Sequence, residues 1–340
     1  MPRDRFHKSR RSTPWMGREE EMSPAEKMIH YNYLKDHEAH HSPIGDDLEV
    51  ELINSHRPSS CPFCGAEHFS MKGLDAHGIQ RYKCSICGKR FKPTTGTIFD
   101  SRRIPLSEWI QYLLNLFQFV SISAGSWNNK NTFQTSDYWL KKVFLILNGY
   151  QNDIVLADRI WLDETFYSVV MRDRERDADG NLLRGLSRNQ ICIGVATDKK
   201  QTICIVEGHG RPSQSRSYST FAAHIKSGSI LVHDQDNTHR KLVNSLQLQS
   251  EEYNSKLIKD LPDKENPLYP INHVHFLLKA FLNSHSGFDR SDLDGYLNLF
   301  SFMMNPPPEH LEKVAKIFDL GFQNPKTLRY RDVFGLNRDS

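Results

Sequence analysis

Four of the six cysteines fall as Cys61-Pro-Phe-Cys64 and Cys84-Ser-Ile-Cys87, two Cys-x-x-Cys turns with 19 residues between them. No other feature constrains the chain as tightly. Each turn can present two thiolates to one ion, and two turns close a tetrahedral site with no open position, so the spacing points to structural Zn2+. A segment this short buries little apolar surface, and roughly 10–16 kcal/mol of metal-binding free energy would supply what a core cannot. A pair of disulfides belongs to an oxidising compartment, and a redox-active Cys-x-x-Cys would need one turn rather than two. His68 and His77, between the turns, are expected at the surface. Cys192 and Cys204 stand in the apolar runs ICIGVA and TICIV and read as small hydrophobes in the core of strands.

The segment that holds the second turn is basic. The net charge of +3 is too small to argue nucleic-acid binding from the total, but residues 81–103 carry Arg81, Lys83, Lys89, Arg90, Lys92, Arg102 and Arg103 against the single acid Asp100. Tyr82, Phe91 and Phe99 are interleaved with these cations, the mixture expected where side chains meet phosphates and sugars.

At 340 residues the chain has length for two or three domains. No stretch approaches the roughly 20 apolar residues of a membrane span. The start, MPRDRFHKSRRS, is basic but lacks the apolar segment of a secretory signal, so a cytoplasmic location is expected. Residues 1–55 are polar with one expected helix over 24–36, and 56–103 form the ribbon. Residues 104–150 hold two helical patterns around a Gly, Ser and Asn-rich break at 121–131. The first is Leu106, Trp109, Ile110, Leu113, Leu114 and Phe117, and the second follows Ser136. The pair permits a helix-turn-helix. From about 151 to 340 the pattern changes to apolar strands, at Arg159 to Val170, Gln190 to Thr197, Gln201 to Glu207 and Ser229 to His233, with a helix near 217–227 and helices after the fourth strand. This describes a mixed α/β domain.

Two of those strands carry acids where solvated strands seldom do. Asp163 lies inside Ile160-Trp161-Leu162-Asp163-Glu164-Thr165-Phe166, and Asp234 directly ends Ile230-Leu231-Val232-His233. A carboxylate there must be paired, capped or bound to a metal, because burying it alone costs several kcal/mol or more. Ion pairing and helix capping satisfy that requirement as well as a metal does. Two carboxylates on adjacent strands could share Mg2+, which takes oxygen ligands and keeps open positions for phosphate oxygens.

In order along the chain come Arg81-Tyr82-Lys83-Cys84 with FKPTTGT (91–97), Leu162-Asp163-Glu164-Thr165, Gly185-Leu186-Ser187-Arg188, and His233-Asp234 followed by Asn237-Thr238-His239. Then follow Ile271-Asn272-His273-Val274-His275 with Lys279, Gly287, and Tyr296-Leu297-Asn298. With these motifs the chain resembles the bacterial zinc-ribbon insertion-sequence transposases with a ribonuclease-H-like catalytic core, a group whose third active-site residue can be Asn or His in place of Glu. The resemblance spans residues 61 to about 305. It implies a catalytic triad of Asp163, Asp234 and Asn272 holding Mg2+ or Mn2+, cleavage and joining of double-stranded DNA at transposon ends, and at least a dimer in the working complex on DNA. Asn272 follows Asp234 by 38 positions; its amide oxygen can ligate a hard cation, and helix N-capping is the alternative role. Asn272 to Leu282 reads as a helix with Asn272, His275 and Lys279 on one face, where His275 could hold a phosphate or move a proton and Lys279 could meet the DNA backbone. Asp236, two residues after Asp234, competes with it as second ligand. A non-catalytic zinc-ribbon regulator or an inactive transposase remnant is the alternative function.

Overall fold

The computed structural model describes residues 23–25, 27–28, 47–102 and 104–335. Most of the helix expected over 24–36, and Arg103, lie outside them. The chain divides into two units, Met1–Ile146 with Glu309–Ser340, and Leu147–Pro308.

In the first unit, α1 (Asp47–Ser55) precedes an antiparallel three-stranded sheet of β1 (Phe69–Leu74), β2 (Gln80–Cys84) and β3 (Arg90–Phe91). Side chains alternate along a strand, so Tyr82 and Cys84 of β2 turn inward while Lys83 between them is exposed. Tyr82 stacks on Phe91 at 5.5 Å and meets Phe69 edge-on at 5.3 Å. This corrects the expectation that the interleaved aromatics face nucleic acid: Tyr82, Phe91 and Phe99 are 2%, 2% and 1% exposed. They are the apolar filling of the unit.

Three helices follow, α2 (Ser107–Phe117), α3 (Ile122–Asn128) and α4 (Phe133–Leu147). The segment read as a break holds α3, opened by the Ser121 hydroxyl accepting the Ala124 N–H at 3.2 Å. Its small and polar residues hid a short helix whose stability comes from packing rather than propensity. Trp109 of α2 stacks on Trp139 of α4 at 4.7 Å, and the Tyr112 hydroxyl donates to the Ser136 carbonyl at 2.8 Å. The helix His310–Gln323 packs here too, bringing Phe318 and Phe322 to 5.5 and 4.8 Å from Phe99. Gly321 makes that approach possible, since a Cβ there would stand 2.6 Å from the Phe99 ring. The second unit therefore ends at Pro308, whereas the sequence reading carried one domain from 151 to 340.

The second unit is built on a five-stranded mixed sheet. Its strands are β4 (Arg159–Ser168), β5 (Gln190–Thr197), β6 (Thr202–His209), β7 (Ile230–Asp234) and β8 (Gln249–Tyr253), in the order β6-β5-β4-β7-β8. β4, β5 and β6 are antiparallel neighbours, while β7 and β8 run parallel to β4. Helices α5 (Gln214–Phe221) and α6 (Arg240–Leu246) cover one face, where Ile160, Leu162, Ala196, Ile203, Phe221, Leu231 and Leu242 form the core. The short helix α7 (Ser255–Ile258) leads to α8 (Tyr269–Ser284), which together with α9 (Leu293–Met304) packs the other face. β8 is a strand the sequence reading missed, because QSEEY has no apolar alternation; as an edge strand it needs only its ladder with β7. The outer edge of β6 is closed by amide side chains. Gln151 bonds both backbone groups of Cys204, at 2.6 and 3.0 Å, and Asn305 does the same for Thr202 at 2.6 and 3.1 Å. No described helix is long and apolar enough to cross a membrane.

Candidate active site and metal centres

The two Cys-x-x-Cys turns meet. Cys61 Sγ is 3.7 Å from Cys87 Sγ and Cys64 Sγ 3.6 Å from Cys84 Sγ, and all four sulfurs lie within 4.8 Å of one another. A tetrahedron with Zn–S bonds of about 2.3 Å has sulfurs about 3.8 Å apart, so this donor set fits zinc with little movement. Each turn ends in a glycine at positive φ, Gly65 at 74° and Gly88 at 70°, whose N–H donates back to the carbonyl of Cys61 or Cys84. That bend is what lets residues i and i+3 aim at one point. The N–H groups of Cys87 and Ile86 donate to Cys84 Sγ at 3.4 and 3.3 Å and draw its thiol down to about 6, toward the metal-binding thiolate. His68 and His77 are exposed, and Cys192 and Cys204 are buried in β5 and β6.

The basic segment separates into two kinds of cation. Lys83, Lys89 and Arg90 are exposed on the ribbon, and Arg81 is half-buried. Lys92 instead pairs with Asp75, and Arg102 pairs with Glu49, whose side chain is 4% exposed. Glu49 also accepts the Leu106 N–H at 3.1 Å, so Arg102 belongs to a buried brace between α1 and the start of α2. Arg102 is thus tied into the interior, Lys92 shares its charge with Asp75 while its side chain stays 41% exposed, and Arg103 lies outside the described residues.

On the second unit's sheet, the β4–β7 pairing sets Arg159 opposite Ile230, Ile160 opposite Leu231 and Trp161 opposite Val232. Carried two residues further, this register places Asp163 level with Asp234, and level residues on parallel neighbours point to the same face. That face is the one under α8. Trp161 Nε1 donates to the Pro267 carbonyl at 2.8 Å, Tyr167 reaches the Leu282 carbonyl, and His275 Nδ1 stands 3.7 Å from Asp163 Oδ2. Burial, with Asp234 next in importance, pushes the Asp163 carboxyl up to about 7, while Lys279 of α8 opposes the shift. Burial together with the Lys279 charge pulls His275 down to about 4, so its imidazole is neutral.

Asn272 stands one turn before His275 on α8, exposed and, among the described residues, without a side-chain hydrogen bond. It is not the N-cap: α8 begins at Tyr269, and the Asn272 N–H donates to the Leu268 carbonyl. Asp234 and Asp236 hold different places, and both act on the Asp163 carboxyl, Asp234 more strongly. Asp236 caps the turn Asn237–His239, accepting from the Thr238 N–H and hydroxyl at 3.1 and 2.8 Å, while Asp234 alone ends the strand level with Asp163.

The opposite face holds polar groups that sequence reasoning did not single out. Glu164 and Glu207 are buried, and burial pushes their carboxyls up to about 9 and about 7. Gly194 makes room between them; a Cβ there would lie 2.5 Å from Glu207 Oε1. His239 is fully buried and held neutral, near 3, chiefly by that burial. Glu164 is invisible as a buried acid in sequence because its neighbour Asp163 has the same composition context and the opposite face.

No family model matches the chain, and no curated protein does. Among solved structures, the Mos1 mariner paired end complex with Mn overlaps at a TM-score of 0.24 with 12% identity, covering 62% of this chain and 75% of that one. A Mos1 transposase paired-end complex with left transposon end gives 0.23 and 13%, over 62% of this chain and 77% of that one.

Proposed function

We propose that the chain is a transposase that binds transposon ends through its zinc ribbon and cleaves and joins DNA strands at the Asp163–Asp234 site. The observation that carries this reading is the level placement of two carboxylates on adjacent parallel strands, under a helix that presents Asn272, His275 and Lys279. The sheet supports it as well. Three antiparallel strands continued by two parallel ones, with the first strand central, is the strand order of the ribonuclease-H-like core that the sequence motifs imply.

Mg2+ or Mn2+ between Asp163 and Asp234 would activate the attacking oxygen and stabilise the leaving one. The protein's own part is to hold the two carboxylates at one level and to supply the Asn272 amide oxygen as a neutral third ligand. The neutral His275 imidazole can accept a proton at one nitrogen while its other N–H faces Asp163. Lys279, exposed one turn beyond, is placed for a phosphate oxygen. The Cys61, Cys64, Cys84 and Cys87 site would hold Zn2+, with Lys83, Lys89 and Arg90 as the phosphate-facing cations.

The test is strand cleavage and joining on DNA bearing the element's terminal inverted repeats, with Mg2+. Asp163→Asn and Asp234→Asn are each expected to lower the rate roughly a hundredfold or more while leaving DNA binding intact. Wild-type activity in either variant removes the site assignment. DNA binding without any Mg2+-dependent nicking by the wild-type chain would make it a zinc-ribbon regulator.

A further inference from the structure

Behind the Asp163–Asp234 pair, on the face that carries Glu164, two imidazoles are oriented as ligands. His233 immediately precedes Asp234 and is 2% exposed; His239 ends the turn Asn237–His239 and is 0% exposed. A serine hydroxyl holds one nitrogen of each. Ser250 Oγ is 2.9 Å from His233 Nε2, and Ser217 Oγ is 3.2 Å from His239 Nδ1. The remaining nitrogens, His233 Nδ1 and His239 Nε2, are buried without a hydrogen-bond partner. A ligating histidine is set up in this way, its outer nitrogen fixed by a second group and its inner one left for the ion.

The rings stand edge to face with centroids 5.1 Å apart. One nitrogen of each and one Asp234 oxygen lie within 4.8 Å of one another. A further carboxylate is close, with Glu164 Oε2 3.8 Å from His239 Nε2 and Glu164 Oε1 buried without a partner. Buried polar atoms left without a partner are costly, and a cation among them would take up the free imidazole lone pairs together.

We propose that His233, His239 and Asp234 form a transition-metal site distinct from the cysteine site, with Glu164 within reach as a fourth ligand. Imidazole donors select Zn2+, Co2+ or Ni2+ over Mg2+, so the two sites would take different ions while sharing the Asp234 carboxylate, one oxygen to each. Closing on Zn2+ with bonds of about 2.1 Å draws the ligand atoms to about 3.4 Å, a shift on the order of one ångström. The ion would fix the end of β7, and with it the carboxylate of Asp234, against β4. This inference does not depend on the chain's acting on DNA, and it is tested without DNA.

The full chain is loaded with Zn2+ in excess Mg2+, desalted, and its zinc measured by atomic emission. One equivalent on the cysteines and a second on this site are expected. His239→Gln is expected to lose the second equivalent only, and Asp163→Asn to keep both. A wild-type chain with a single equivalent, a second equivalent that survives in His239→Gln, or one lost in Asp163→Asn overturns the proposal. X-ray absorption at the zinc edge of the wild-type chain reads the ligands without relying on any variant's folding. Nitrogen and oxygen scatterers beside sulfur are expected, and sulfur alone overturns the site.

Discussion

At the scale of single residues, two side chains carry the sharpest expectations. Asn272 sits in the first turns of α8 with its amide exposed, one turn from the His275 that faces Asp163. As a neutral ligand it would bind Mg2+ more weakly than a carboxylate. Asn272→Ala should raise the Mg2+ concentration for half-maximal cleavage severalfold and Asn272→Asp should lower it, read from initial rates across a metal titration. Glu207 is 9% exposed with both carboxyl oxygens unpartnered, and burial lifts it from 4.5 to about 7. Between those values the folded chain keeps a proton that the unfolded chain releases, so stability falls as pH rises through the window. Glu207→Gln should remove that slope and stabilise the protein at pH 8 by about 1–3 kcal/mol. Thermal unfolding of both proteins from pH 4 to pH 8 checks the sign, and parallel curves would contradict it.

At the scale of elements, the basic segment was legible as charge but not as task. Charge runs along the sequence, while exposure follows the period-2 alternation of β2 and the brace at α1, so Lys83 faces outward and Arg102 is tied to Glu49. Removing one partner of a buried ion pair leaves the other uncompensated. Arg102→Ala should therefore destabilise the first unit by about 3–5 kcal/mol in chemical denaturation, with little change in the salt dependence of DNA binding. Lys83→Ala and Arg90→Ala should do the reverse, leaving stability nearly unchanged and lowering the slope of log affinity against log salt by about one each. The strands β4, β5, β6 and β7 were readable because each is an apolar run flanked by polar breaks. β8 and α3 were not, since an edge strand and a short packed helix draw their stability from neighbours rather than from their own residues.

At the scale of the whole molecule, the two units rest on different sources of stability. The second has a conventional core of aliphatic residues on both sides of its sheet. The ribbon in the first has only Cys61, Tyr82, Cys84 and Phe91 at its centre, with Ala66 and Phe69 against them. A strong chelator should thus unfold the ribbon and abolish specific DNA binding while the sheet unit keeps its own thermal transition, seen as one lost and one retained step in calorimetry. A single transition lost as a whole would contradict that independence.

The sequence alone determined the grouping of the four cysteines, because spacing reads directly as two Cys-x-x-Cys turns, a donor set that suits one tetrahedral ion. It also determined which strands carry Asp163 and Asp234. Tertiary structure decided what spacing cannot express. Register across a parallel pair, carried two residues past its last bridge, sets Asp163 and Asp234 at one level, while Asp236 falls in the following turn, where it accepts from Thr238. Alternation then sent Glu164 to the opposite face from Asp163, where it meets His239. Those outcomes depend on which strand lies beside which, a property of the folded sheet and not of any segment within it.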